Sequence, residues 1–133
     1  MDSAPRGKIR NREYATQVRD FSGLRFGNIT PTDIDGLIEY HGKGYVFIET
    51  KHAEAELPFG QRLALERICD DLQKVKPTLI IVASHDTDGD IDVAETTVTE
   101  IRFKGKWRQR DGTTRQLIES FIRHLDNPWS DTS

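Results

Sequence analysis

The sequence has one cysteine, one methionine and no purely aliphatic run longer than the five residues from Leu79 to Ala83. A lone thiol, Cys69, allows no internal disulfide, as suits a reducing cytoplasm. A membrane-spanning helix needs about 20 consecutive apolar residues, and nothing in the chain approaches that. No apolar core segment follows the initial Met, so a secretory leader is not expected and a cytoplasmic location is. Aromatic residues are scarce at 8% and apolar residues reach only 35%, so the core must be lean. Ten Gly and five Pro are too few for a collagen-like or low-complexity chain. No internal repeat is visible. The 133 residues are enough for one domain and too few for two.

What is present in quantity is charge: 31% of residues, with 19 Lys and Arg against 22 Asp and Glu, a net charge of −3. That sum excludes a protein coated in cations, but its distribution says more. Residues 1–27 carry six basic and three acidic side chains, residues 28–100 six and fifteen, and residues 101–133 seven and four. An acidic centre thus lies between two basic flanks. Residues 1–12 are expected to be a flexible basic arm ahead of one domain spanning 13–133.

The element pattern is mixed. Tyr14, Val18 and Phe21 recur at helical spacing and predict a short helix over 11–21. Gly36–Tyr40 and Tyr45–Lys51, rich in β-branched and aromatic residues, flank His41-Gly42-Lys43-Gly44 and predict a hairpin. Leu63, Leu65, Ile68, Leu72 and Val75 predict a helix over 59–76, ended by Pro77. Thr78–Ser84 reads as a strand buried on both faces. Residues 92–103 read as another strand, with a return strand beginning near Trp107. Leu117, Phe121, Ile122 and Leu125 predict a closing helix over 113–125. This order implies an α/β fold, a mixed sheet with helices on its faces.

The chemistry-bearing constellation is Asp33 and Asp35 before the first hairpin strand, with Glu49 and Lys51 in the second. Residues two apart on a strand share a face, so Glu49 and Lys51 project together and Thr50 opposes them. An antiparallel hairpin can bring a carboxylate pair to that lysine. Two converging carboxylates suit Mg²⁺ or Mn²⁺, with water and a substrate phosphate completing the oxygen shell. The lysine could then orient water or stabilise transition-state charge. Acid–Lys pairs two apart are also common as solvated surface pairs worth little. Against that reading, Val46-Phe47-Ile48 are apolar on both faces, as in a central strand.

The run Pro31-Thr32-Asp33-Ile34-Asp35-Gly36, followed by a hairpin and by Ile48-Glu49-Thr50-Lys51, resembles the PD-(D/E)xK nuclease superfamily. Asp35 precedes Glu49 by 14 positions, close to the interval of that signature. The resemblance implies a restriction-endonuclease-like sheet and Mg²⁺- or Mn²⁺-dependent hydrolysis of phosphodiester bonds in DNA. It implies Asp35 and Glu49 as metal ligands, with Asp33 and Glu13 as auxiliary candidates. It implies Lys51 as the residue that positions or activates water. Gln61, opening the second helix, resembles the glutamine that some recombination-associated members carry beside the metal. The aromatic residue those members place four positions later is replaced by Leu65.

Within this resemblance, a small structure-selective or non-specific enzyme, endo- or exonuclease, fits better than a sequence reader, because one domain offers little surface for base contacts. Branched-DNA resolution by a homodimer belongs to the same expectation. The alternative is a nuclease-fold protein that binds DNA or assists assembly without turnover. For contact with the phosphate backbone, Arg10 and Arg12 in the arm are candidates. So are Lys104, Lys106 and Arg108, which alternate with Arg102 and Arg110 as a row of cations on one face of a ribbon. Trp107 offers an indole for base stacking, or else joins the core. The run from His85 to Asp92 has its Gly at the wrong position for a calcium loop and reads as solvated acid. Cys69 reads as a small buried hydrophobe.

Overall fold

The computed structural model describes residues 17–128. The chain divides into two units, Met1–Pro31 and Thr32–Ser133, and the basic arm over 1–12, with Arg10 and Arg12, lies outside the described residues, as does Glu13. In the first unit, residues 17–21 are not helical, contrary to the predicted helix. A turn closes with Leu24 N–H donating to Phe21 O, and Phe26 and Ile29 pair as an isolated bridge. The physical reason is local. Asp20 Oδ1 accepts from the Ser22 amide, a side-chain competitor for helical hydrogen bonding. Val18 remains 89% exposed, so no packing supports an amphipathic turn.

The second unit carries one five-stranded sheet in the order β1-β2-β3-β4-β5. β1 (Gly36–Tyr40) and β2 (Gly44–His52) form the expected hairpin. After it, α1 (Phe59–Gln73) crosses to β3 (Thr78–His85), which runs parallel to β2. β4 (Thr97–Phe103) and β5 (Lys106–Gln109) add antiparallel strands, and α2 (Thr114–Asp126) closes the unit. The mixed α/β class read from the sequence is the class observed. No helix among the described residues is long and apolar enough to cross a membrane.

Period-two alternation sorts the core into two layers. Val46, Ile48, Leu79, Ile81, Val98 and Ile101 face α2, where Phe121 and Leu125 cover them. Phe47, Ile80 and Val82 face α1, where Leu65 and Cys69 cover them. β3 is therefore buried on both sides, as its continuous apolar run requires. Gly44 has no room for a side chain, since a Cβ there would sit 2.8 Å from Pro77 O and 2.9 Å from Leu125.

Three boundaries differ from the sequence pattern. α1 stops at Gln73, because its side-chain Oε1 accepts from the Thr78 amide and the residue before Pro77 is biased away from helix. β4 starts at Thr97 rather than near 92, because Asp92 Oδ1 accepts from the Ala94 amide and caps a short 3-10 turn, Val93–Glu95. Between Val82 and Ala83 the β3–β4 register shifts, leaving Thr99 as an extra residue. That bulge lets Val98 and Ile101, three apart, both face α2.

Candidate active site

Asp35 ends the loop before β1, and Glu49 lies in β2 on the layer beneath α1. The hairpin register, with Gly36 opposite Ile48, brings them side by side. The Asp35 amide donates to Glu49 Oε2 at 3.3 Å. The Asp35 carboxylate is exposed, and its Oδ2 accepts from the Thr50 amide at 2.8 Å and from Thr50 Oγ1 at 3.1 Å. Glu49 itself is only 1% exposed. Burial, followed by the neighbouring Asp35 charge, pushes its carboxyl up to about 7, against the lowering effect of the Asp35 and Gln61 donors.

Gln61, in the first turn of α1, reaches down onto this pair. Its Nε2 donates to Glu49 Oε1 at 2.6 Å and to the main-chain carbonyl of Asp33 at 3.1 Å. Asp33 thus meets the site through its backbone, with its side chain exposed. Lys51, two residues beyond Glu49 on the same face, is half-buried, and its side chain makes no hydrogen bond or ion pair with the described residues. It lines a cleft of about 480 Å³ together with Glu56, Leu57, Phe59, Arg62, Val82 and Glu100. Asp35, Glu49, Lys51 and Gln61 are thereby gathered at one end of the sheet.

Two side chains that the sequence reading passed over stand at that cleft. Arg62 follows Gln61 directly, and its Nη1 lies 2.5 Å from Glu100 Oε1. Glu100 is opposite Val82, which is opposite Glu49, so the two glutamates lie on one row across three strands. Arg62 could have been flagged as the next residue after Gln61. Glu100 could not, because its position depends on the β3–β4 register and its bulge.

The basic row does not lie on one face. β4 and β5 turn at Lys104-Gly105, both at positive φ, as a two-residue hairpin favours. The turn pairs Arg102 with Trp107, Phe103 with Lys106 and Ile101 with Arg108. Arg102 and Trp107 therefore face α1, whereas Lys106 and Arg108 face the α2 side. Lys104, Lys106, Arg108 and Arg110 are exposed. Arg102 is instead 12% exposed at its side chain and grips Asp70 of α1 through two hydrogen bonds, 3.0 and 2.7 Å. Trp107 packs against the α1-side core, donates from Nε1 to Glu66 at 2.5 Å and lies 3.9 Å from the Arg62 guanidinium. Its indole is engaged within the fold.

The remaining candidates behave as their sequence context suggests. Asp86, Asp88 and Asp90 are exposed. Cys69 is buried, donates to Thr78 O and has its thiol pushed up to about 12 by burial, which makes it unreactive. Among the described residues no group of three or more His, Cys, Asp and Glu is arranged to hold a metal ion. A Mg²⁺ site of the phosphoryl-transfer kind needs fewer, since one or two carboxylates suffice when water and substrate oxygens complete the shell. The Asp35–Glu49 pair fits that requirement: one carboxylate faces solvent, and its neighbour is a buried carboxyl whose pKa burial raises.

Comparison with protein-family models, with curated proteins and with solved structures finds no match for this chain.

Proposed function

We propose that this protein is a metal-dependent deoxyribonuclease of the PD-(D/E)xK kind, with a restriction-endonuclease-like sheet, acting on DNA by structure or without selectivity. The observation that carries the reading is the contact of Asp35 with buried Glu49, with Gln61 on Glu49 and Lys51 on the same face. Asp35 and Glu49 would hold Mg²⁺ or Mn²⁺, with Asp33 as an auxiliary candidate. The bound cation supplies Lewis-acid polarisation of the phosphoryl oxygen and a more acidic water. Glu49 enters this work as a carboxylate, and Gln61 fixes its rotamer by holding Oε1. Lys51, without an ion-pair partner among the described residues, orients the attacking water or offsets the charge that builds on the phosphoryl oxygens. Exposed Lys104, Lys106 and Arg108 supply cations for the phosphate backbone, and Arg10 and Arg12 are further candidates by sequence.

A second reading has its own observation. Asp35 and Glu49 are both satisfied by internal donors, Thr50 and Gln61, as in a nuclease-fold protein that binds DNA or aids assembly without turnover. The test incubates linear, circular, single-stranded and four-way-junction DNA with the protein, with Mg²⁺, Mn²⁺ or EDTA, alongside Glu49→Ala. Metal-dependent cleavage lost in the variant supports the enzyme. Binding that survives EDTA and loss of Glu49, without cleavage, supports the second reading.

A further inference from the structure

Two arginine–carboxylate pairs tie α1 to β4, and they are built differently. Arg102 and Asp70 form an aligned fork with two hydrogen bonds, the geometry of a fixed clamp. Arg62 and Glu100 approach to 2.5 Å, yet Glu100 Oε1 is buried without accepting an aligned hydrogen bond from the described residues. Arg62 Nε is a further 3.9 Å from Glu66, and its guanidinium rests 3.9 Å from the Trp107 ring. An arginine carries five donors in a rigid fork, and none of those on Arg62 is in an aligned hydrogen bond with a described residue.

Position gives this pair its meaning. Gln61 and Arg62 are consecutive residues of α1, one on Glu49 and the other on Glu100. Those two glutamates are separated by one intervening strand, about 10 Å at the usual strand spacing. Arg62 and Lys51 are the two cations in the lining of the cleft beside Glu100. A guanidinium already stacked on an indole is ordered in advance, which lowers the entropy lost on gripping an anion.

Resting on the nuclease reading above, we propose that Arg62 is a substrate-binding residue. It takes a backbone phosphate next to the scissile one in the cleft shared with Lys51, exchanging Glu100 for that phosphate. Glu100 then acts as an internal competitor that occupies the cation in free protein. The helix does not depend on Arg62 for its seat, since Arg102–Asp70 and Trp107–Glu66 also hold it.

The test first establishes metal-dependent cleavage by wild type and its loss in Glu49→Ala. Absence of both cleavage and DNA binding by wild type overturns the nuclease reading and this inference with it. Given cleavage, Arg62→Ala is expected to raise KM about tenfold, as for one lost charge-assisted hydrogen bond, with kcat changed far less. With Ca²⁺ replacing Mg²⁺ and a short labelled duplex as probe, the slope of log Kd against log salt should fall by about one. Arg62→Lys should restore part of the affinity. Glu100→Gln, removing the competitor, should tighten binding and lower KM, an outcome a purely structural ion pair does not give. Unchanged KM and salt slope in a folded Arg62→Ala overturn the inference while leaving the nuclease reading intact. Should Arg62→Ala fail to fold, an unchanged or raised KM in Glu100→Gln overturns it.

Discussion

The side-chain amide of Gln61 donates to Glu49 Oε1 across 2.6 Å and, from the same nitrogen, to the carbonyl of Asp33 at 3.1 Å. One residue at the start of α1 thus fixes a buried carboxylate and the loop that delivers Asp35. Gln61→Ala removes a donor that favours the ionised form of Glu49. The acid limb of the pH–rate profile is expected to move to higher pH, with a loss of kcat of about tenfold or more. An acid limb that stays in place would show that Gln61 does not tune Glu49.

Burial of Glu49 makes stability depend on pH in a defined direction. Its carboxyl titrates near 7 in the fold, against an ordinary value of 4.5. The folded state therefore binds the proton more tightly than the unfolded state. The stability so gained is fully present below 4.5 and is lost as pH rises through about 7. Glu49→Gln, which mimics the protonated form, is expected to melt higher than wild type at pH 8 and close to it at pH 4.5. Thermal melts across that range check this, and a variant that melts lower at pH 8 contradicts it.

A divalent cation bound by the Asp35–Glu49 pair stabilises the folded state by mass action. Mg²⁺ or Mn²⁺ is expected to raise the melting temperature of wild type, more at pH 8 than at pH 5, because protons and metal compete for Glu49. Glu49→Gln should lose most of that rise. Equal shifts in both proteins would place the cation elsewhere.

The Arg102–Asp70 fork is structural in this account. Its aligned hydrogen bonds hold Asp70 below the usual carboxylate range. Asp70→Asn leaves a guanidinium with a 12% exposed side chain facing a neutral partner, and is expected to cost about 1–2 kcal/mol. The stability from Asp70 is present above its ordinary pKa and fades as pH falls below it. Denaturant unfolding at pH 7 checks the magnitude, with KM expected to stay as in wild type.

Close approach, rather than chemistry, governs Gly44. A methyl group there meets Pro77 O at 2.8 Å and Leu125 at 2.9 Å. Gly44→Ala is expected to destabilise the fold by about 1–3 kcal/mol through overpacking, read as a lower denaturant midpoint at unchanged m-value. No change would mean that the Leu125 contact yields freely.

The parts of this molecule legible in sequence are those set by local pattern. The β1–β2 hairpin follows from β-branched runs around His41–Gly44, and β3 from its unbroken apolar stretch. Asp35, Glu49, Lys51 and Gln61 were recognisable as a set by spacing and resemblance, and they meet at one end of the sheet. What escaped depends on pairings distant in sequence. The bulge at Thr99 decides which way Glu100 faces. The Lys104-Gly105 turn reverses the parity of an alternating basic row, sending Arg102 to Asp70 and Lys106 to the opposite side. The described end of the predicted helix, residues 17–21, had no packing surface for Val18 and Phe21, and helical spacing alone does not supply one.

The central claim is that Glu49 and Lys51 serve metal-dependent hydrolysis of DNA. Its most direct test is single-turnover cleavage of end-labelled DNA by wild type, Glu49→Ala and Lys51→Ala, each with Mg²⁺ and with EDTA, with circular dichroism confirming that all three are folded. The expected result is cleavage by wild type only when metal is present, falling at least about a thousandfold in either variant. Cleavage at equal rates by all three proteins, or by wild type in EDTA, would contradict it.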